Sequence, residues 1–305
     1  MANIPASLLV INLDRATERW QRVQQSHADF LAGTVALERL PATDTSTVER
    51  DRIAGTLSAP EKGCLLSHLR ALEILSQRGS GPHWIAEDDV AFGEHTMQGL
   101  ARTLDKLAGV SWDILFTDVT IAKPGEMHDL WMHRDRLRGK GEGDLVDLAT
   151  TAFGGTTSYL VNEGALTRIK RLIERMGPLN MPWDVWLRTM ARQRRLTCLA
   201  TVPFVTRVEH APSQIQQDDP MYAWWGAYRD LMFCDPDVEG IAERLDRIES
   251  PPVEAALFGR IMGGVSHIGL LTPAQPMVQS PREPSTARAS SEPSRGSASN
   301  IDSTA

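Results

Sequence analysis

Three consecutive carboxylates, Glu87, Asp88 and Asp89, end a short apolar run in the first third of the chain. The run, residues 83–86, is too short for a helix and is typical of a buried strand that carries the carboxylates at its C-terminal end. Adjacent carboxylates repel one another, and a cation relieves that repulsion. Because oxygen ligands suit Mg²⁺ or Mn²⁺, the sequence predicts a divalent metal held by Asp89, with Glu87 or Asp88 assisting. The alternative is a solvated acidic turn.

Two groups elsewhere in the chain could serve the same site. His210 lies near the end of the last predicted strand, and neutral imidazole binds Mn²⁺ readily, so His210 is a candidate for closing the metal site. Its alternative is an exposed loop histidine. Asp118 also follows a predicted strand and could support the metal ligands or contact a ligand, although a strand-end turn residue explains it equally well.

Strands and helices alternate along most of the chain, which predicts an α/β fold with a mixed central sheet flanked by helices. Ser58 and Glu61 form a capping box that starts one of the helices. Residues 123–147 lack a helical or strand pattern and are predicted to be a lid or a mobile loop. Apolar runs typical of strands occupy residues 7–13, 83–86, 112–116 and 156–161.

Composition narrows the class of protein. The 305 residues carry 32 Lys and Arg against 39 Asp and Glu, a net charge of −7, whereas a nucleic-acid binder usually presents a basic stripe. The three cysteines are far apart and form no CxxC pair, which argues against a disulfide framework or a zinc knuckle. No apolar run reaches the length of a signal or membrane segment, so we expect a cytoplasmic protein whose membrane contact, if any, is peripheral at the inner face.

The expected domain boundaries also follow from composition. We expect one catalytic domain over residues 1–250, with C-terminal helices from about residue 221, followed by a connector at 251–271. Residues 272–305 are rich in Pro, Ser, Ala and Arg and contain few large apolar side chains. Such a segment cannot bury enough surface to offset its ordering entropy, so it is predicted to be a disordered tail.

Eight segments have a characteristic order and spacing: VINLDRATERW (10–20), LPATD (40–44), EKGCLLSHLRALE (61–73), WIAEDDV (84–90), WDILFTD (112–118), TTSYLVNEGA (156–165), PWDVWL (182–187) and SQI (213–215). Together they resemble glycosyltransferase family 25, the lipooligosaccharide and collagen galactosyltransferase family. The resemblance implies a GT-A type α/β domain that uses a divalent metal, Mn²⁺ or Mg²⁺, to transfer a sugar with inversion. The donor it implies is a UDP-sugar, typically UDP-galactose, and the acceptor is a saccharide or glycolipid.

The resemblance guides the interpretation of the first strand and the helix after it. At the C-terminal end of this strand the backbone groups of Ile11, Asn12 and Leu13 could bond a uracil edge, because open α/β sheets bind nucleotides there. Arg15 and Arg19 match the basic pattern of the family and could face the diphosphate. The alternative for both arginines is a solvated helix face.

A GCxxSH motif at residues 63–68 recurs in the family and gives Ser67 and His68 a supporting role beside the nucleotide, together with Asp88. From the residues alone, His68 is interpreted as a buried, hydrogen-bonded histidine, because it shares a helical stripe with Leu72 and Leu75.

Inverting transfer needs a base that takes the proton of the acceptor hydroxyl. The proline-x-Asp segment of the family lies on the acceptor side, which makes Asp184 the first candidate for the base and Glu87 the second. The alternative for Asp184 is a helix cap. Two other functions stay open: a non-catalytic nucleotide-sugar-binding module, and a metal-dependent hydrolase or nucleotidyltransferase built on the same carboxylates.

Overall fold

A computed structural model describes residues 4–78, 81–138, 143–209 and 220–246 of the protein. Its helices are α1 (Thr17–Phe30), α2 (Thr45–Arg50), α3 (Ala59–Leu75), α4 (Thr96–Lys106), α5 (Pro124–Arg138), α6 (Glu163–Ile173), α7 (Trp183–Arg192), α8 (Pro220–Met232) and α9 (Val238–Asp246), with a short 3-10 helix at Leu148–Thr150. Its strands are β1 (Ser7–Asn12), β2 (Ala36–Pro41), β3 (His83–Glu87), β4 (Val90–Ala91), β5 (Ile114–Phe116), β6 (Thr120–Ile121), β7 (Asp144–Asp147), β8 (Phe153–Gly154), β9 (Ser158–Val161), β10 (Cys198–Val202) and β11 (Arg207–Val208).

Seven strands form one mixed sheet in the order β2-β1-β3-β9-β5-β10-β7. Strand β1 is parallel to β2 and β3, and β5 is parallel to β10, whereas β9 runs antiparallel to both β3 and β5. The carboxyl ends of β1, β3, β5 and β10 therefore meet at one edge of the sheet, together with the residues that lead into β9. The predicted α/β class with a mixed central sheet is confirmed.

Side chains alternate across the strands and separate two apolar layers. Leu8 and Val10 of β1 pack in the layer that includes α1 and α4, whereas Leu9 and Ile11 pack in the layer that includes α3, α6 and α7. The central strands are therefore covered by helices on both faces. This is why they form continuous apolar runs in the sequence and not an alternating pattern.

The prediction of a lid or mobile loop over residues 123–147 is wrong for its described part, which contains α5 and β7. Met127, Leu130 and Leu137 of α5 pack into the larger core cluster at the spacing of one helix face. His, Asp and Arg residues interleave with these positions and conceal the stripe in the sequence. By contrast, the helix predicted from the capping box is confirmed as α3, and the backbone N–H of Ser58 donates to the carboxylate of Glu61 at 2.9 Å.

A two-stranded ribbon follows strand β3 at the edge of the sheet where the carboxyl ends of the parallel strands meet. Glu87, Asp88 and Asp89, the acidic triplet, are followed directly by strand β4, which pairs antiparallel with β11. The backbone N–H of Glu209 donates to the carbonyl oxygen of Asp89 at 2.6 Å, which extends this pairing to the triplet itself. Helix α8 packs against β6 and β11 and so reaches the same edge.

His210, the connector at 251–271 and the tail at 272–305 lie outside the described residues, and what the sequence predicts for them stays a prediction. Among the helices in the described ranges, none is long and apolar enough to cross a membrane.

Candidate active site

The acidic triplet lies where β3 ends, among polar groups from three other parts of the chain. Strand β1 ends at Asn12, β5 leads to Asp118, and the pair Thr156 and Thr157 precedes β9. The backbone N–H of Glu87 donates to the carbonyl oxygen of Thr157 at 2.8 Å, which fixes the triplet beside the start of β9. The sheet topology thus gathers side chains that are far apart in the sequence.

Glu87 accepts two side-chain hydrogen bonds at one oxygen. The hydroxyl of Thr156 donates to Oε1 at 2.7 Å, and Nε2 of His68 lies 3.3 Å from the same atom. Burial raises the pKa of Glu87, but the hydrogen bonds from His68 and Thr156 and the positive charge of Arg229 outweigh that effect and hold the pKa below its usual value. Glu87 is therefore a carboxylate at neutral pH.

His68 is fully buried and hydrogen-bonded, which confirms the interpretation of its helical stripe. Its Nδ1 lies 3.0 Å from the hydroxyl of Tyr159, which also accepts the indole N–H of Trp183 at 3.3 Å. Because a carboxylate only accepts, Nε2 of His68 carries the proton that faces Glu87. A buried chain of contacts from Trp183 through Tyr159 and His68 thus orients Glu87.

Asp88 is bonded to the first strand and the helix after it. Nδ2 of Asn12 donates to Oδ2 of Asp88 at 2.8 Å, and Nη1 of Arg19 donates to Oδ1 at 2.6 Å. The amide oxygen of Asn12 in turn accepts from Nε of Arg39 at 2.7 Å. The structure therefore brings together three predicted nucleotide contacts, Asn12, Arg19 and Asp88, and their side chains bind one another.

The backbone groups predicted to contact the uracil edge lie at the end of β1. The carbonyl oxygens of Asn12 and Leu13 accept hydrogen bonds from the N–H groups of Ala42 and Ala16, each at 2.9 Å. The side chain of Ile11 belongs to the apolar core. Each carbonyl oxygen keeps one further lone pair, so a nucleotide contact at this strand end stays a prediction.

Arg15 and Ser67 are bonded away from the acidic triplet. Arg15 pairs with Asp44, and its side chain is 56% exposed. The hydroxyl of Ser67 accepts the N–H of Thr43 at 2.8 Å and donates to the carbonyl oxygen of Gly63 at 2.7 Å. Ser67 therefore joins α3 to the loop after β2 and supports the site only through that framework.

Asp89 differs from its two neighbours because one of its side-chain oxygens is both buried and without a hydrogen bond from the described residues. Within the described residues, Oδ1 of Asp89 is buried and accepts no hydrogen bond. Burial and the charges of Glu87 and Asp88 raise the pKa of Asp89 to about 7, although Arg19 and Arg229 oppose the shift. A buried carboxylate oxygen without a donor is costly unless a cation or another ligand meets it. Asp89 is thus the member of the triplet best placed to bind a ligand.

A buried ion pair borders the triplet. Arg229 of α8 donates from Nη2 to Oδ2 of Asp118 and, at 3.2 Å, to the hydroxyl of Thr157. Asp118 is 1% exposed, and its second oxygen accepts no hydrogen bond from the residues that the structure describes. Burial raises the pKa of Asp118, although Arg229 opposes the shift. The pair places a positive charge beside an otherwise acidic edge.

Asp184 lies in the first turn of α7, and backbone N–H groups meet both of its oxygens. Gly155 donates to Oδ2 at 3.0 Å, and Val185 donates to Oδ1 at 2.8 Å. Gly155 has a φ of +82°, a conformation that favours glycine, so this contact fixes the turn that precedes Thr156. A carboxylate has about four acceptor sites, so these two bonds leave Asp184 able to accept another donor.

Thr156, Tyr159 and Arg229 contribute to this edge but were not among the residues predicted from the sequence. Thr156 and Tyr159 lie in the TTSYLVNEGA segment, which resembles the family but carries no pattern that assigns them a role. Arg229 lies 111 residues from Asp118 on a helix without a local motif. Only the fold shows that Thr156 bonds to Glu87 and that Tyr159 is linked to it through His68. It also shows that Arg229 bonds to Asp118 and Thr157 beside the triplet.

Two overlapping sets of side chains could hold a cation. Glu87 and Asp89 offer oxygen ligands, which suit Mg²⁺ or Mn²⁺. Cys64, His68 and Glu87 form the second set, and their ligand atoms all lie within 4.8 Å of one another. Burial and the charges of Glu87, Asp184 and Asp89 raise the pKa of the Cys64 thiol well above its usual value.

A known protein family matches the chain. The model of glycosyltransferase family 25, described as an LPS biosynthesis protein family, matches residues 6–187. The matched part includes the acidic triplet, Asp118 and Asp184, and it ends before α8 and Arg229. No curated protein matches the chain. Because the family model covers more than half of the chain, the protein belongs to glycosyltransferase family 25.

Proposed function

We propose that the protein is a metal-dependent, inverting glycosyltransferase that moves galactose from UDP-galactose to a hydroxyl of a saccharide or glycolipid acceptor in LPS biosynthesis. Family membership supports the reaction class, the transfer of a sugar from a donor to an acceptor. The resemblance to the family implies UDP-galactose and inversion, and the observation that carries the metal dependence is the buried Oδ1 of Asp89, which accepts no hydrogen bond from the described residues. It lies at the edge where open α/β sheets bind nucleotides.

The residues of this edge fit a hard divalent cation. Asp89 offers a buried oxygen without a donor in the described part of the chain, and Glu87 offers a carboxylate whose pKa lies below its usual value. Mn²⁺ or Mg²⁺ held there would neutralise the negative charge that develops on the departing diphosphate. Asp88 is bonded to Asn12 and Arg19, so we assign it to the support of the site and not to the ion itself.

Asp184 is the proposed base. In a single displacement, the acceptor oxygen forms a bond to the anomeric carbon while that carbon loses its bond to the diphosphate oxygen, and the hydroxyl proton passes to a carboxylate. Two backbone N–H groups anchor Asp184 and leave lone pairs on its oxygens, so it can receive that proton without moving. Glu87 is the second candidate, but Thr156 and His68 already bond to it.

The test is an assay with purified protein, UDP-galactose, Mn²⁺ and a panel of saccharide acceptors. Asp89→Asn should lower kcat by about 100-fold or more, because a metal stabilises the charge of the transition state by several kcal/mol. Asp129→Asn is the matched control, because the Asp129 side chain is 86% exposed on α5. Full metal-dependent activity in Asp89→Asn, with an unchanged melting curve, would refute the assignment of the site.

The products of the same assay separate the proposed function from its alternatives. A glycoside identified by mass spectrometry supports the transferase. Free galactose would indicate a hydrolase, and a nucleotidylated product would indicate a nucleotidyltransferase, either of which could use the same carboxylates. Binding of UDP-galactose without any product would indicate a non-catalytic binding module.

A further inference from the structure

Cys64, His68 and Glu87 converge from one helix and one strand. Cys64 and His68 are four residues apart on α3, so they lie on the same helix face, and Glu87 ends β3. The thiol sulfur, an imidazole nitrogen and a carboxylate oxygen all lie within 4.8 Å of one another. These three side chains offer the ligand types of a transition-metal site.

The separation of His68 and Glu87 suits a shared cation. Nε2 of His68 lies 3.3 Å from Oε1 of Glu87, which exceeds the usual N–H···O distance of about 2.9 Å. The nitrogen and oxygen ligands of a tetrahedral zinc, each about 2.0–2.1 Å from the metal, stand roughly 3.3 Å from one another. Two of the three side chains thus already have the spacing of zinc ligands.

The chemistry of the three ligands selects the ion. A thiolate and an imidazole favour Zn²⁺, whereas Mn²⁺ and Mg²⁺ prefer oxygen. Zinc at Nε2 requires the ring proton on Nδ1, which lies 3.0 Å from the Tyr159 hydroxyl and can donate to it, the support that metal-binding histidines usually have. Cys64 and Glu87 are partly exposed, whereas His68 is fully buried, so Cys64 and Glu87 form the side of the cluster that faces solvent.

We propose that Cys64, His68 and Glu87 form a zinc-binding site that shares Glu87 with the hard-cation site of Asp89. Zinc binding releases the thiol proton of Cys64 to solvent as the Zn–S bond forms, replaces the contact between His68 and Glu87 and withdraws Glu87 from its proposed role beside Asp89. Inhibition of sugar transfer by zinc is the consequence. Zinc binding itself does not depend on the proposed function, and only the inhibition rests on it.

The test uses untagged full-length protein without any sugar substrate. Titration with Co²⁺ as a spectroscopic substitute for zinc should produce the strong near-ultraviolet absorption of a thiolate bound to cobalt, and Zn²⁺ should displace it. Oxygen ligands alone do not produce this absorption, so cobalt at Asp89 is distinguished from cobalt at Cys64. Absence of the thiolate absorption in the wild-type protein would overturn the proposal.

Matched serine variants show which cysteine binds the metal. Cys64→Ser should abolish the thiolate absorption and weaken Zn²⁺ binding by about tenfold or more, because even loss of a group that only supports a ligand costs about 10–100-fold in affinity. Cys234→Ser is the control, since Cys234 is also partly exposed and belongs to a different part of the fold. Loss of the absorption in Cys234→Ser, or its retention in Cys64→Ser, would overturn the assignment.

The inhibition is measured separately, once transfer has been detected. Zn²⁺ added in the presence of saturating Mn²⁺ should inhibit the wild-type protein at least tenfold more strongly than Cys64→Ser. Equal inhibition of both proteins would overturn the regulatory consequence. If no transfer is detected, the proposed function fails while the cobalt spectrum still decides whether the site binds metal.

Discussion

A single exchange can separate the structural contacts of Asp184 from its proposed role as the base. Its oxygens accept hydrogen bonds from Gly155 and Val185, so part of its contribution is structural. Asp184→Asn keeps the size and one oxygen acceptor but removes the group that can take a proton. We expect kcat to fall by about 100-fold or more, the usual range for acid–base catalysis, while calorimetry shows a Kd for UDP-galactose within about twofold of wild type.

Asp147→Asn controls for the structural part of that change. Asp147 precedes the short 3-10 helix and accepts the N–H of Ala149 at 2.9 Å, so the exchange alters a helix start away from the acidic triplet. A similar fall in melting temperature in both variants, with loss of turnover only in Asp184→Asn, would support the base. Unchanged turnover in Asp184→Asn would show that another group takes the proton.

Helix α8 is fastened to the edge of the sheet by the ion pair of Arg229 and Asp118. Arg229→Met removes one partner and leaves Asp118 buried without its cation, which costs about 3–5 kcal/mol of unfolding free energy. Asp118→Asn combined with Arg229→Met should recover most of that loss, because no buried charge is left alone. Urea unfolding of the two variants and the wild type measures both effects.

The comparison of these variants contains its own control. If the double variant is as unstable as Arg229→Met alone, the loss comes from the packing of the arginine stem and not from the unpaired carboxylate. If neither variant is destabilised, α8 does not depend on this pair for its position.

Strand β3 begins with a histidine that links stability to pH. His83 is buried, and Nε2 accepts or donates no hydrogen bond within the described residues. Burial and the charge of Arg78 lower the pKa of His83, although Glu163 opposes the shift. A histidine in the unfolded chain has a pKa of about 6.5, so as the pH falls the unfolded chain takes up a proton before the folded one does. We expect the free energy of unfolding to fall as the pH decreases from about 6.5, and His83→Gln to reduce that fall.

His95 serves as a control because its pKa is shifted in the opposite direction to that of His83. Its hydrogen bond to Asp235 and the charge of that residue raise the pKa of His95, and its side chain is largely exposed. The stability from this pair is present below the pKa of the unfolded histidine and is lost as the pH rises through that of the folded one. His95→Gln should therefore not reduce the loss of stability in acid. An identical acid-side slope for wild type and His83→Gln would contradict the role of His83.

The strands of the central sheet were the elements easiest to predict. β1, β3, β5 and β9 are buried on both faces, so each forms a continuous apolar run that stands out from its surroundings. Helix α5 could not be recognised, because its core-facing residues Met127, Leu130 and Leu137 alternate with charged ones and its total hydrophobicity is low. The apolar pattern thus identifies an element when its buried positions form a continuous run or a clear stripe, as with Leu72 and Leu75 of α3, and fails when charged residues obscure them, as in α5.

The site could be predicted only where the chain itself places residues together. Glu87, Asp88 and Asp89 are adjacent, so any strand that ends there gathers them. Their different environments depend on contacts with Asn12, which is 76 residues from Asp88, and Thr156, which is 69 residues from Glu87. Such contacts depend on strand order and register, which no local spacing encodes.

For the whole molecule, the net charge of −7 raises the question of how an acidic protein would hold the anionic donor proposed above. Arg15 and Arg19 are already paired with Asp44 and Asp88, so these arginines do not by themselves offer a free basic surface. A cation that bridges the donor diphosphate and the carboxylate of Asp89 would remove the repulsion. The proposed site therefore predicts that metal and donor bind cooperatively.

Thermal unfolding measures that cooperativity. Mn²⁺ or UDP-galactose alone should change the melting temperature little. Together, at about 100 times their Kd, they should add ~2.7 kcal/mol of stability, or about 5–10 °C for a domain of this size. EDTA should reverse the shift, Asp89→Asn should lack it and Asp129→Asn should keep it. An equal shift with UDP-galactose in the presence of EDTA would mean that the donor is held without a metal. In that case Arg15 and Arg19 would exchange their carboxylate partners for the diphosphate of the donor.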